Sequence, residues 1–177
     1  MDQRELPVYE ALERMQIPYR RFEHRPADTM EDCRIIDEDI VAALAAELPD
    51  IRMEHCKNLF LCNRQGTEFF LLLLGGEKKF RTARISRQID RPRLSFATPE
   101  QLLDKLGLYP GAVTPMGLLC PNAKDVNVLL DADVAKAEWV LVHPNVNTAS
   151  VLLRGSDLLR FLSERGNPLQ TVQVDAD

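Results

Sequence analysis

A membrane-length apolar run, a CxxC pair and an excess of positive charge are all missing from this sequence, and each absence removes a class of protein. The longest apolar run, residues 69–74, is six residues long, against the roughly 20 that a spanning helix requires. The opening MDQRELPVYE has no basic-then-apolar leader, so export is not expected and a cytoplasmic location is. Four cysteines, Cys33, Cys56, Cys62 and Cys120, are scattered, and without a secretory leader they read as free thiols. With 22 Lys+Arg against 27 Asp+Glu the net charge is −5, which argues against a chain that coats nucleic acid through its total charge. No GxSxG elbow, GxxxxGK[ST] loop, GxGxxG fingerprint or HExxH helix occurs, so serine-nucleophile, phosphate-loop, dinucleotide and zinc-peptidase chemistries lose support. Neither a metal site nor a cofactor is expected.

What is present is material for one ordinary core. The 177 residues are 45% hydrophobic, enough for a single domain over 1–177 with no staple. Val8, Ala11, Leu12 and Met15 fall on one helical face, and Pro18 stops that helix. Residues 19–24 read as a strand; Thr29 and Asp32 then start a second helix, and a longer one follows over 39–48 until Pro49. Residues 56–62 and 68–74 read as an antiparallel pair joined by a polar link containing Gly66. Thr98, Pro99 and Gln101 open a helix that ends near Gly107, and Ser156 is expected to cap the last helix, which stops at Gly166. Residues 126–130, 139–143 and 149–153 are further strand candidates. Strands and helices mix without a regular βαβ rhythm or a repeat, so the fold class is α+β with a mixed, largely antiparallel sheet.

Three segments carry possible chemistry. Lys57, with Asn58 beside it, lies in an apolar strand; it is either a solvent-facing edge charge or a partner for an anion. Residues 109–117 hold two prolines and two glycines, which make either a rigid connector or an irregular loop presenting N–H donors to a developing oxyanion. His143, Asn145, Asn147 and Thr148 cluster at a strand end and a proline turn, as turn-closing hardware or as a pocket wall. His55 and Cys56, adjacent in a strand, point to opposite faces, which speaks against zinc there. Between residues 78 and 93 seven basic residues face one acid, a local +6 that leaves −11 elsewhere; Lys78, Lys79, Arg81, Arg84 and Arg87 are the candidate RNA contacts, with a merely solvated charged helix as the alternative.

Taken in order, His24-Arg25-Pro26-Ala27-Asp28-Thr29, Lys57-Asn58-Leu59-Phe60-Leu61, Leu94-Ser95-Phe96-Ala97, Leu106-Gly107, Pro110-Gly111-Ala112-Val113-Thr114-Pro115 and His143-Pro144-Asn145-Val146-Asn147-Thr148 resemble the bacterial prolyl-tRNA editing proteins. These are freestanding YbaK-type deacylases related to the editing domain of bacterial prolyl-tRNA synthetases. The resemblance covers nearly the whole chain, with Met116 standing where that family often has Phe. It implies a partly barrel-like mixed sheet surrounded by helices, and hydrolysis of the ester between a wrong amino acid, alanine above all, and the 3′ adenosine of proline tRNA. Cys or Ser specificity, or a noncatalytic tRNA- or nucleotide-binding regulator, are the alternatives. It further implies that Lys57 contacts the terminal nucleotide, that the Gly111 loop lies against the aminoacyl carbonyl and that His143 lines the pocket, with Asn58, Thr114, Pro115, Asn145, Asn147 and Thr148 as binding residues. The expected partner is mischarged proline tRNA, with prolyl-tRNA synthetase as a further candidate; a monomer is favoured, and no membrane is involved.

Overall fold

The computed structural model describes residues 1–175. In chain order its elements are α1 (Leu6–Arg14), β1 (Arg20–Glu23), α2 (Met30–Leu44), β2 (Met53–Cys62), β3 (Phe69–Gly75), α3 (Thr82–Gln88), β4 (Ser95–Phe96), α4 (Pro99–Leu106), β5 (Asn127–Asp131), α5 (Ala132–Lys136), β6 (Trp139–Val142), β7 (Ala149–Arg154), α6 (Gly155–Arg165) and β8 (Leu169–Val172). The strands form one eight-stranded sheet in the order β1-β7-β6-β2-β3-β5-β8, with β4 paired to β2. The expected α+β class and mixed sheet are observed. Three of the ladders, β2–β6, β3–β5 and β5–β8, are parallel, and no local signal announces them because the pairing partners are far apart in the chain.

Local chemistry explains most boundaries. Thr98 and Gln101 form a reciprocal capping box, and Gly107 closes α4 at φ +66°, a backbone conformation that glycine adopts at little cost. Gly66, at φ +65°, turns the β2–β3 connection. Two expectations need correction. The helices expected near Thr29 and over 39–48 are one continuous helix, α2, which Thr29 and Asp32 cap and which ends at Leu44, ahead of Pro49; its Ile36, Ile40 and Leu44 stripe buries as a unit. The last helix starts at Gly155 with no side-chain cap, so Ser156 lies inside it. Gly155 donates to the Glu138 carbonyl, and a Cβ there would stand 1.9 Å from the Ala137 carbonyl oxygen. β8 was not expected at all: only Val172 of its four residues is buried, which leaves no alternating pattern to read.

The sheet separates three packed clusters. One face holds Val8 and Leu12 of α1, Leu102 and Leu106 of α4, and Leu158, Phe161 and Leu162 of α6 against Cys56, Phe60 and Cys62 of β2. Alternate residues of β2 turn to the other face, as strand geometry requires. There Met53 packs under α2, while Leu59 and Leu61 pack under Ile85 and Ile89 of α3. Lys57 therefore falls between the ground covered by α2 and that covered by α3. None of the described helices is long and apolar enough to cross a membrane.

Candidate functional site

The cavity forms where two parallel strands part company. β2 and β6 pair only from Met53 with Trp139 to His55 with Leu141. Beyond that point their ladder ends, so Lys57 on β2 and His143, one residue past the end of β6, would have been partners in register but are not paired. The proline-bounded loop enters the wedge: Asn58 Nδ2 donates to the Val113 carbonyl at 3.2 Å, and Thr114 Oγ1 donates to the His143 carbonyl at 2.5 Å. Each side-chain bond ties the loop to one strand. The pocket, open to solvent on one side, is about 230 Å³ and is lined by Asp28, Thr29, His55, Lys57, Gly111 and His143, among others.

Three groups give this wall its chemistry. Among the described residues Lys57 has no ion pair, although it is only partly exposed, so the edge-charge reading gives way to a cation facing a cavity. Gly111 sits at φ +90°, and among the described residues neither its N–H nor that of Val113 donates a hydrogen bond. The His143 ring lies 3.1 Å through Nδ1 from the Ala149 carbonyl; a carbonyl only accepts, so Nδ1 carries the proton and Nε2 is left as an acceptor. Burial, with the neighbouring His55 and His24, pulls this imidazole down to about 4. It is neutral at physiological pH.

All three histidines of the chain meet here. The rings of His24 and His55 each lie 6.3 Å from that of His143. His55 is the opposite of His143 in charge: burial opposes protonation, but the Asp37 carboxylate, 2.9 Å from Nδ1, and the Cys33 sulfur outweigh it and raise the group to about 9. His24 Nε2 bonds Ser150 Oγ at 2.9 Å. Nothing in the spacing of His55, Cys33 and Asp37 marks them as one charged cluster. For His55 alone the signal was available in part, since the residue two before Lys57 in a strand shares its face.

The remaining candidates divide into wall, brace and periphery. Asn147 Nδ2 donates to Asp28 at 2.9 Å, its Oδ1 accepts from the Tyr109 hydroxyl at 3.2 Å, and its carbonyl accepts from Ala27 N–H. Asn147 thus staples residues 27–28 to Tyr109, and the Thr148 carbonyl accepts from His24 N–H. Thr114 and Pro115 are buried and open a 3₁₀ turn, Pro115–Leu119. Asn145, at φ +65°, turns away to the Arg4 carbonyl, so it does not line the cavity. Cys120 lies outside it as well. In the basic stretch Lys78 is buried, with its ammonium 2.8 Å from Asp131 and 2.6 Å from Asp133; its charge is neutralised inside the fold and is withdrawn from any surface contact. Arg84 pairs with Asp175, whereas Lys79, Arg81 and Arg87 are exposed.

Comparison with known proteins shows what the chain is similar to. A family model described as an aminoacyl-tRNA editing domain matches residues 35–161. The chain is 30% identical over 167 residues to the prolyl-tRNA editing protein ProX of Acetoanaerobium sticklandii, covering 94% of this chain and 95% of that one. It is 32% identical over 110 residues to the prolyl-tRNA synthetase associated domain-containing protein 1 of Danio rerio, covering 61% and 59% respectively. A crystal structure of a candidate trans-editing enzyme for prolyl tRNA synthetase superposes with a TM-score of 0.70 at 19% identity, over 100% of this chain and 99% of that one.

Proposed function

Because the chain belongs to the aminoacyl-tRNA editing domain family, we propose that it is a trans-editing hydrolase that removes alanine from mischarged proline tRNA by water attack on the aminoacyl ester. The observation that carries this reading is the convergence of an unpaired lysine, undonated loop N–H groups and a neutral histidine on one cavity of about 230 Å³. That volume equals on the order of seven or eight waters. It has room for an aminoacyl group and its attacking water.

The chemistry asks little of the protein. An ester is already activated, so holding it beside a water removes much of the barrier. As water adds, negative charge grows on the carbonyl oxygen, and the N–H groups of Gly111 and Val113 are suited to receive it. Lys57 holds the phosphate or ribose side of the terminal nucleotide. His143 Nε2, an acceptor at neutral pH, orients a ribose hydroxyl, and the free vicinal hydroxyl assists the water. Asn58 and Thr114 hold the loop at the strands, and Pro115 fixes its exit.

Selectivity follows from size. A contact difference of one methylene discriminates by only about 1–3 kcal/mol, so excluding the larger proline is the effective filter. The test is a deacylation assay on alanyl- and prolyl-tRNA(Pro), with wild type beside Lys57→Ala. Wild type should accelerate loss of alanine and spare proline, and loss of a charged contact should lower kcat/KM by about 10- to 100-fold. Equal hydrolysis of both esters would defeat the sieve, and tRNA retention without faster ester loss would make the chain a binder.

A further inference from the structure

One exposed aromatic is left unexplained by the cavity. Phe96, in the Leu94-Ser95-Phe96-Ala97 segment, is 63% exposed although it sits in a strand. Its register partner on β2 is Leu61, and cross-strand partners project to the same face. Leu61 and Lys57 are four residues apart on β2, so they also share a face. Phe96 therefore stands on the face that carries Lys57, about 13 Å along the strand from it. Phe80 meets the Phe96 ring edge-on, with centroids 6.0 Å apart and planes at 67°, and Phe80 is itself anchored in the cluster beneath α3. The aromatic is braced from one side and open on the other.

The flanking segment has the charge that RNA would need. Lys79, Arg87 and Arg93 are exposed, and among the described residues none of them has an ion pair. Exposed cations in the neighbouring segment together with a stackable ring are a combination that holds single-stranded nucleic acid without reading its sequence. Stacked nucleotides advance about 3.4 Å each. A separation of about 13 Å is then three to four stacking steps, which places Phe96 beside a base three or four positions upstream of a terminal adenosine held at Lys57.

We propose that Phe96, buttressed by Phe80, is a stacking platform for an unpaired base of the tRNA acceptor end upstream of the terminal adenosine. This rests on the editing function proposed above. The platform acts on binding and not on the ester, so its loss raises KM and leaves kcat in place.

The test compares wild type, Phe96→Ala, Phe96→Leu and Phe96→Trp in deacylation kinetics with alanyl-tRNA(Pro), and in filter binding of two uncharged acceptor-stem minihelices, one with and one without the unpaired 3′ end. Phe96→Ala and Phe96→Leu should raise KM and weaken binding of the tailed minihelix by about 5- to 100-fold. Phe96→Trp should bind at least as well as wild type, and the tailless minihelix should bind all four proteins alike. Near-wild-type binding by Phe96→Leu would overturn stacking in favour of plain apolar packing, and an equal penalty on the tailless minihelix would overturn the assignment to the unpaired end. If wild type binds the tailed minihelix and shows the Phe96 pattern yet does not deacylate, the platform stands and the hydrolase reading falls; deacylation with no Phe96 effect gives the reverse.

Discussion

Replacing Asp37 with Asn is expected to remove the alkaline limb of the pH–stability curve. His55 and His143 lie 6.3 Å apart and are driven in opposite directions. Burial works against the charge on His55, but the 2.9 Å contact with Asp37 and the Cys33 sulfur raise it from 6.5 to about 9. A histidine whose folded value lies above its unfolded one contributes stability that is complete below pH 6.5 and is lost as pH climbs through 9. His143, lowered by burial and by its two histidine neighbours to about 4, does the reverse. It must be deprotonated to fit, so stability falls as pH drops from 6.5 toward 4. Each gap corresponds to about 3 kcal/mol, and together the two groups favour a maximum near pH 6.5.

Asp37→Asn removes the carboxylate while keeping the side chain's size. At pH 6 the variant should lose about 3 kcal/mol relative to wild type, or roughly 6–12 °C in Tm for a chain of this length. At pH 10, where His55 is neutral in both proteins, the two should melt together. Thermal denaturation across pH 4–10, with imidazole C–H resonances followed by NMR, measures both quantities. A Tm gap that stays constant from pH 6 to pH 10, or a His55 resonance that titrates identically in the variant, would refute the assignment of His55 as a cation held by Asp37.

Two further substitutions separate the site from the scaffold. Gly111→Ala should destabilise by about 1–2 kcal/mol, because an L side chain pays at positive φ; the space itself is adequate, since the new Cβ would lie 3.6 Å from Asn147 Nδ2. If the loop shifts to relieve that strain, its donors leave the oxyanion position and kcat falls by about 100- to 1,000-fold, so unchanged kcat in a variant whose loop is shown to have moved would reject the loop's role. Lys78→Met should cost about 3–5 kcal/mol by leaving the fully buried Asp131 carboxylate without its cation. Urea denaturation reads that loss, and a variant as stable as wild type would show that the Gly75 and Val174 N–H donors suffice for Asp131.

Much of the framework is written in short stretches of chain. The Thr98–Gln101 box with Gly107, the Gly66 turn and the apolar stripe of α1 act within a few residues, so their side chains decide the local backbone. Lys57, Gly111 and His143 were legible as separate oddities: a lysine in an apolar strand, a loop with two prolines, a histidine at a strand end. The alternatives attached to each could not be resolved there. Choosing between edge charge and anion partner requires knowing what lies across the strand, and strand spacing carries no record of that.

The assembly of these pieces belongs to the tertiary structure. Parallel pairing of β2 with β6, its end after His55, and the entry of residues 110–115 between the strands depend on contacts across 29 or more residues, which local propensity does not encode. Asp37 reaches His55 from a different element, and their contact sets the histidine's charge. Burial turned Lys78 inward by the same means, since a cation is stable there only beside carboxylates that the fold delivers. Sequence alone determined which local elements form and which residue types are on hand, because those interactions act over a few bonds. The fold decided which of those residues share a cavity and what charge each holds, because distance and desolvation exist only once the chain has closed on itself.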